Sequence, residues 1–268
     1  MISLWALPIV AIMVSLSVAE SSRLSGRPKR HDVQRIPSIQ VEREVLILAA
    51  AALSRDPEAQ LPSWRSSNPN GHCSWGGVHC NDEGRVDMLD VYGKGLAGRI
   101  PSSLTSLTSL GTLNAKNNHL TGGIPSEIGV MSGLHSLDLG NNSLSGTIPA
   151  SLSNCHQLEL LALDNNQLSG TIPPELGAMG GLYDIYLNAN QLSGSIPAEL
   201  SSLHFMLNIY LNDNRLTGTI PSELSQVHIE EFDVARNHLT GNITAQLEAM
   251  GWMGHDALEV LEWHPQFV

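Results

Sequence analysis

Leucine and other apolar residues recur along most of this chain with a fixed period. The pattern L-x-G-x-I-P begins at Leu96 and returns at 24-residue intervals, and a degenerate copy begins at Leu239. The complete copies start at Leu96, Leu120, Leu144, Leu168, Leu192 and Leu216. A fixed period of this length is typical of a solenoid built from similar, stacked coils.

Each unit also carries an apolar alternation upstream of this pattern. In the fourth unit Leu158, Leu161 and Leu163 follow the form L-x-x-L-x-L. The alternation has the period of a strand with one buried side, so each unit predicts one short strand in a parallel sheet. Stacking would bury the leucines between neighbouring coils, each worth about 1.5–3 kcal/mol. We therefore expect an α/β solenoid, a right-handed horseshoe with a seven-stranded concave sheet and an irregular or 3-10 helical convex side.

An asparagine stands two residues before the repeat leucine in every unit except the first, where Lys94 takes its place. These residues are Asn118, Asn142, Asn166, Asn190, Asn214 and Asn237. An amide is both a donor and an acceptor, so it can satisfy backbone groups where the chain leaves the sheet. The spacing predicts a structural ladder of asparagines.

The units from Leu120 to Pro125 and from Leu144 to Pro149 resemble the plant-specific class of extracellular leucine-rich repeats. That class occurs in receptor-like kinases, receptor-like proteins and polygalacturonase-inhibiting proteins. The stretch from Glu44 to Val86, which includes Leu61-Pro62-Ser63-Trp64 and Cys73 to Cys80, is similar to the N-terminal cap of the class. The resemblance implies an extracellular binding protein. The inhibitors generally have more repeats and a C-terminal cysteine pair, so seven repeats favour the receptor-like interpretation.

The chain divides into five predicted segments. Residues 1–19 have the apolar run and small-residue end of a secretory signal, the alternatives being an uncleaved membrane anchor and a buried helix. Residues 20–40 are polar and basic, which predicts a flexible segment. We assign residues 41–85 to the N-terminal cap, 86–244 to seven repeats and 245–268 to a C-terminal helical cap or tail.

Both caps are expected to cover exposed ends of the apolar core. The segment from Val41 to Leu53 predicts an amphipathic helix, and Trp64 and Trp75 are large apolar plugs. Residues predicted to face inward on the first helix are Val45, Leu46, Leu48, Ala49 and Ala52. A second helix is predicted to rest on the last repeat through Leu247, Met250, Leu258 and Leu261.

The three cysteines call for separate interpretations. In a secreted chain Cys73 and Cys80 favour a disulfide that closes a short loop, the alternative being a metal or redox pair. Cys155 lies on the outer part of a repeat, where cysteine most often serves as a small buried hydrophobe, with a reactive thiol as the alternative.

Charge argues against nucleic acid as a partner. The chain has a formal net charge of -12, and a protein this acidic repels phosphate. The G-x-G-x-x-G string at 93–98 leads into Arg99-Ile100-Pro101 rather than a helix, and no hydrolase or metalloprotease motif is present. Asp138, Asp164, Asp233 and Glu231 could form an acid/base pair, but shallow, wet carboxylates seldom have the perturbed pKa that catalysis requires. We predict neither an enzyme nor a cofactor or metal site.

The exposed positions of the predicted strands hold the candidate binding site. Tyr186 and Tyr210 fall in one column on adjacent units, about 5 Å apart. The polar residues that surround them in the same and neighbouring columns are Asp184, Asn188, Asn208, Asn212, Asp164 and Asp138. Exposed tyrosines with an amide rim are typical of a protein or peptide contact surface. The alternative is that these residues merely suit an exposed strand.

Two glycosylation sequons begin at Asn141 and Asn242. A glycan on Asn141 would crowd one margin of the sheet. If both sequons are occupied, the binding region would be restricted to units four to six.

The sequence thus predicts a secreted module, extracellular or in the cell wall, that binds a protein or peptide on its concave sheet. Its partner would be a peptide ligand, a receptor kinase or a secreted hydrolase, in a receptor-like or co-receptor role. The alternatives are an inhibitor of a cell-wall-degrading enzyme and a structural protein that binds polysaccharide. Pectin is itself polyanionic, which leaves the basic segment at residues 23–43 as the part that would contact it.

Overall fold

A computed structural model describes residues 38–65 and 71–242. The predicted signal, nearly all of the basic segment, and the predicted C-terminal helix lie outside these residues. In the described part the first helix begins at Ser38, inside the stretch predicted to be flexible.

The N-terminal cap is built on helix α1, Ser38–Leu53, followed by the short helix α2, Pro57–Gln60. The buried residues of α1 recur at the spacing of one helix face and are Glu42, Val45, Leu46, Ala49, Ala50 and Leu53. The prediction was wrong for Leu48, which is 50% exposed, because it lies on the opposite side of the helix. Ala52 flanks the buried stripe and is half-buried. The end of α1 meets the first repeat, where the Gly98 amide donates to the Leu53 carbonyl at 2.9 Å.

The rest of the cap confirms the disulfide and the two aromatic plugs. Trp64 and Trp75 are buried, and their ring centroids lie 6.3 Å apart. Cys73 and Cys80 are joined in a disulfide, so their sulfurs are not free as metal-binding thiolates. Strand β1, Val78–Cys80, pairs antiparallel with the first repeat strand and covers that edge of the sheet.

The main sheet contains the antiparallel strand β1 and the seven predicted repeat strands, and the seven repeat strands are parallel to one another. The repeat strands are β2 Val86–Asp90, β3 Thr112–Asn114, β5 Ser136–Asp138, β7 Leu160–Ala162, β9 Asp184–Tyr186, β11 Asn208–Tyr210 and β13 Glu231–Asp233. They lie in chain order across the sheet, so each unit is hydrogen-bonded to its sequence neighbours. The leucine-rich-repeat solenoid is therefore confirmed.

On the side of the leucine core away from the main sheet, the chain forms 3-10 helices, each of which follows a repeat proline. They span Ser102–Ser106, Ser126–Val130, Ala150–Asn154, Pro174–Ala178, Ala198–Ser202 and Ser222–Gln226, and a further one, His72–Ser74, lies in the cap. Proline fixes φ and lacks an amide proton, so it suits the entry to these turns.

A second sheet of six short parallel strands was not predicted from the sequence. Its strands are β4 Thr121–Gly122, β6 Ser143–Gly146, β8 Gln167–Gly170, β10 Gln191–Gly194, β12 Arg215–Gly218 and β14 His238–Leu239. They follow the ladder asparagines, and the four strands of four residues include the Leu-Ser/Thr-Gly part of the repeat. The glycine in this part adopts positive φ, between 77° and 83° at Gly122, Gly146, Gly170, Gly194 and Gly218. A side chain at that φ would be strained, which explains the repeated glycine.

The core between the sheets is a stack of apolar layers. Leu137, Leu139, Leu161 and Leu163 are fully buried, as are their equivalents in the neighbouring coils. Cys155 is also fully buried, and desolvation raises the pKa of its thiol to about 11, as expected for a cysteine that fills space. No helix among residues 38–65 and 71–242 is both long and apolar enough to cross a bilayer.

Candidate ligand-binding site

The parallel register of the main sheet brings equivalent residues of successive repeats side by side. Ile185 pairs with Ile209 and both are buried, whereas Tyr186 pairs with Tyr210 and both are half-buried. Side chains alternate across a strand, so the isoleucines enter the core and the tyrosines stand on the outer face. Tyr186 and Tyr210 continue a column formed by Asp90, Asn114, Asp138 and Ala162 and ending at Asp233.

The two tyrosine rings are stacked on each other. Their centroids lie 5.0 Å apart and their planes differ by 12°. One face of the Tyr186 ring is thus directed toward Tyr210. The other face is directed along the column toward Ala162, whose side chain is a single methyl group.

An open cavity of about 490 Å³ lies beside this stack on the outer face of the main sheet. It is lined by Lys116, Asp138, Leu160, Ala162, Asp164, Asp184, Tyr186, Asn188 and Tyr210. These residues come from four adjacent repeat strands, β5, β7, β9 and β11, and from the turns after β3, β7 and β9. The cavity therefore exists only because the coils are stacked in register.

Comparison with known proteins identifies the repeat class. The leucine rich repeat N-terminal domain matches residues 39–81, and the leucine rich repeat matches 109–131, 133–155, 157–179 and 206–227. The crystal structure of a Pollen Receptor Kinase 3 aligns with 30% identity and a TM-score of 0.65, over 75% of this chain and 96% of that one. The chain belongs to the plant leucine-rich repeat family.

Other members of the family are much longer than this chain. The LRR ectodomain of the Arabidopsis receptor kinase HAESA, solved in complex with an N-terminally extended IDA peptide hormone ligand, is 32% identical with a TM-score of 0.71. That alignment covers 81% of this chain and 37% of the ectodomain. MDIS1-interacting receptor like kinase 1 of Arabidopsis thaliana is 37% identical over 73 residues, which are 27% of this chain and 7% of that protein. The chain thus spans less than a tenth of this curated relative.

The site of this plant leucine-rich repeat protein is strongly acidic. Asp138, Asp164 and Asp184 line the cavity together with a single cation, Lys116, whose Nζ lies 3.6 Å from Asp138 Oδ2. Asp184 Oδ1 accepts a hydrogen bond of 2.6 Å from Asn208 Nδ2. These carboxylates give the cavity a negative potential.

Two pKa shifts reflect this setting. Desolvation by burial is the main cause that raises the pKa of Asp138, and the Gly140 amide and Lys116 oppose it. Burial also raises the pKa of the Tyr186 phenol, with further contributions from the negative charges of Asp184, Glu231 and Asp164. The phenol of Tyr186 therefore stays protonated and neutral at physiological pH.

Six of the eight predicted binding residues line the cavity, and two do not. Asn208 lies one strand away and holds Asp184, and Asn212 donates from Nδ2 to Asp213 Oδ2 at 2.7 Å. The expectation that the carboxylates of this sheet are all shallow and wet was wrong for Asp164, which is 8% exposed. Asp164 packs over Gly140, where an added Cβ would lie 2.4 Å from Asp164 Oδ1.

Sequence reasoning did not select three residues of the cavity. They are Lys116, Leu160 and Ala162. They occupy the same columns as the chosen residues, but none of them has an aromatic ring or an amide side chain. The signal that could have found them is the small Ala162 between Asp138 and Tyr186, because a small side chain in a column of larger ones leaves a depression.

The asparagine ladder lies directly behind the site. Asn166 Oδ1 accepts from the Leu144 amide at 2.9 Å, and its Nδ2 donates to the carbonyls of Leu139, Leu163 and Asp164 at 3.0–3.1 Å. The same arrangement recurs at Asn118, Asn142, Asn190, Asn214 and Asn237. The ladder fixes the turns after β7 and β9, which place Asp164 and Asn188 at the cavity.

Proposed function

We propose that this chain is a secreted plant leucine-rich repeat module that recognises a protein or peptide on its main sheet, in a receptor-like or co-receptor role. The observation that carries the proposal is the stacked pair Tyr186 and Tyr210 beside an open cavity. Aromatic anchors with a polar surround are the usual composition of an interface hot spot. Two half-buried tyrosines held in one orientation also lose little conformational entropy when a ligand arrives.

The relatives support this class of ligand. HAESA is in complex with a peptide hormone, and this chain shares the fold and 32% of the aligned residues with it. Binding of a peptide by a leucine-rich repeat ectodomain is therefore carried from HAESA to this chain as a proposal.

Secretion and glycosylation belong to the same proposal. Residues 1–19 would direct the chain out of the cell, and Asn141 and Asn242 would carry glycans. Both asparagines are exposed, which a glycan requires. Asn141 lies in the turn that follows β5, next to the cavity strands, so a glycan there would bound the binding surface on one side.

The test compares the proteins that the full chain and a double variant, Tyr186→Ala with Tyr210→Ala, retain from extracellular plant fluid. We expect the wild-type chain to retain a protein or peptide that the double variant loses, because the anchors have been removed. Quantitative mass spectrometry of the eluates measures the difference, and binding of the purified candidate to both chains follows by calorimetry.

Tyr92→Ala is the matched control. Tyr92 is an exposed tyrosine in the turn after β2, 51% accessible, and it does not line the cavity. Its replacement should leave the retained species unchanged. If the double variant retains the same species as wild type with the same affinity, the main-sheet proposal is wrong.

A further inference from the structure

The cavity has a shape that follows from one small residue. Ala162 stands between Asp138 and Tyr186 in a register column and lines the cavity, and its small side chain leaves space between these two longer side chains. The Tyr186 ring stacks on Tyr210 with one face, and Ala162 is its register neighbour on the side away from Tyr210. A flat group could therefore lie on the free face of Tyr186 inside the cavity.

The charges around this space select a cation. Three carboxylates, those of Asp138, Asp164 and Asp184, face one ammonium group, that of Lys116. The electron-rich face of a tyrosine also attracts cations. An anionic group would be repelled by the excess of carboxylates, and a neutral group would lack the attraction between opposite charges.

Asp164 points to a missing hydrogen-bond donor. It is 8% exposed, and its Oδ2 accepts from Asn165 Nδ2 at 2.8 Å. Among residues 38–65 and 71–242 no group donates a hydrogen bond to its Oδ1. Asp164 Oδ1 therefore remains available as an acceptor in the cavity, and a hydrogen bond from a charged donor to a carboxylate is among the stronger hydrogen bonds in proteins.

We propose that the cavity binds a basic side chain of the ligand, with the guanidinium group of an arginine stacked on Tyr186 and hydrogen-bonded to Asp164 and its neighbouring carboxylates. This proposal rests on the proposed function and specifies its ligand. Guanidinium is flat, carries five donors in a fixed arrangement and is weakly hydrated, so it suits this space better than the compact ammonium group of lysine. Pockets of this size accommodate a side chain together with neighbouring peptide atoms.

The first experiment titrates the full chain with three small probes and follows the tyrosine ring signals by NMR. The probes are the N-acetyl amides of arginine, of lysine and of citrulline, which is the neutral isostere of arginine. The chain has four tyrosines, Tyr92, Tyr183, Tyr186 and Tyr210, so their signals can be assigned by substitution. We expect the arginine probe to shift Tyr186 and Tyr210, with citrulline at least tenfold weaker and lysine several-fold weaker. Equal binding of arginine and citrulline would overturn the proposal.

The second experiment changes the carboxylates one at a time. Asp164→Asn and Asp138→Asn should each weaken the arginine probe at least tenfold while the unfolding midpoint stays close to wild type. Asp90→Asn is the matched control, since Asp90 shares the Asp138 column but lies outside the cavity, and it should bind as wild type does. Wild-type affinity in both cavity variants would contradict the proposal, and so would shifts confined to Tyr92 or Tyr183.

These outcomes separate the two proposals. A protein or peptide that needs Tyr186 and Tyr210 but binds equally to the Asp164→Asn variant would leave the proposed function standing and remove the arginine site. If the arginine probe binds but no protein or peptide depends on Tyr186 and Tyr210, the arginine site would stand and the proposed function would be removed.

Discussion

At the scale of single residues, the asparagine ladder explains an irregularity that the sequence shows but does not account for. Asn118 Nδ2 donates to the carbonyl of Val91 in the preceding coil, and Asn118 Oδ1 accepts from the Leu96 amide of that same coil. Each ladder residue therefore serves the coil on its N-terminal side. The first coil is preceded by the cap and not by another coil. The replacement of asparagine by Lys94 in its ladder position therefore removes no hydrogen bond between two coils.

The ladder should contribute measurably to stability. Asn166→Ala would leave a buried amide and several carbonyls without their partner, and each unsatisfied buried group costs about 1–3 kcal/mol. We expect the free energy of unfolding to fall by about 3 kcal/mol, measured by urea denaturation. Asn154→Ala, at an exposed asparagine in the adjacent 3-10 helix, should change it by less than about 0.5 kcal/mol. Equal effects of the two substitutions would show that the ladder hydrogen bonds contribute little.

The site marks the limit of sequence reasoning at this scale. The period of two in each strand was enough to place Tyr186 and Tyr210 in one column, and their rings are indeed stacked. The burial of Asp164 depends on the absence of a side chain at Gly140, one coil away. Contacts of that kind depend on how two coils pack, and no spacing within one coil encodes them.

At the scale of elements, the N-terminal cap contains a buried ionic cluster. Glu42 is 1% exposed, and its carboxylate accepts from Arg85 Nε at 2.6 Å and from the Val86 amide at 2.9 Å. His72 Nε2 lies 3.8 Å from Glu42 Oε2 and has no hydrogen-bond partner. Burial lowers the pKa of His72, while the charge of Glu42 opposes this shift and that of Arg43 adds to it.

The cap should consequently lose stability in mild acid. His72 has a pKa below its ordinary value of about 6.5 when folded, so between these two values the unfolded chain binds more protons than the folded chain. The free energy of unfolding therefore falls as the pH decreases below about 6.5. Urea denaturation followed by the fluorescence of Trp64 and Trp75 should show a lower midpoint at pH 5.5 than at pH 7.5.

Two variants isolate His72 in this experiment. His72→Gln should make the midpoint less dependent on pH, because the titrating group is gone. His79→Gln, at an exposed histidine of β1, should keep the wild-type dependence. A wild-type pH dependence in the His72 variant would assign the effect to other groups.

Elements differ in how far the sequence specifies them. The repeat strands follow from the leucine alternation, and helix α1 follows from its apolar stripe, although Leu48 was placed on the wrong side. The second sheet escaped prediction because its strands are two to four residues long and carry no alternation that separates them from a turn. Its hydrogen bonds run between coils, as from the Thr121 amide to the Gly98 carbonyl at 2.8 Å.

At the scale of the whole solenoid, stability is shared between neighbours. In a repeat array each coil contacts only the coils beside it. The free energy of folding is therefore the sum of the intrinsic stability of each coil and the stabilisation at each interface between neighbouring coils. The period of 24 residues predicted this architecture, since no single unit can bury its own leucines. The identity of a ligand depends on the few positions that vary between units, and the repeat pattern does not specify which residues occupy those positions.

Leu163 tests how strongly a central layer couples its neighbours. It is fully buried, and its backbone joins its own coil to the next one, because its amide donates to the Tyr186 carbonyl and its own carbonyl accepts from Asn166 and Asn190. Leu163→Asp places a charge in this layer, so we expect the array to unfold well below the wild-type melting temperature in circular dichroism. Leu163→Ala should cost about 2–5 kcal/mol through the cavity it leaves. Gln167→Asp adds the same charge at an exposed position of the same coil and should melt as wild type does. A wild-type melting temperature for Leu163→Asp would mean that the coils do not depend on a common leucine core, and the register that builds the binding cavity would then have to come from the asparagine ladder alone.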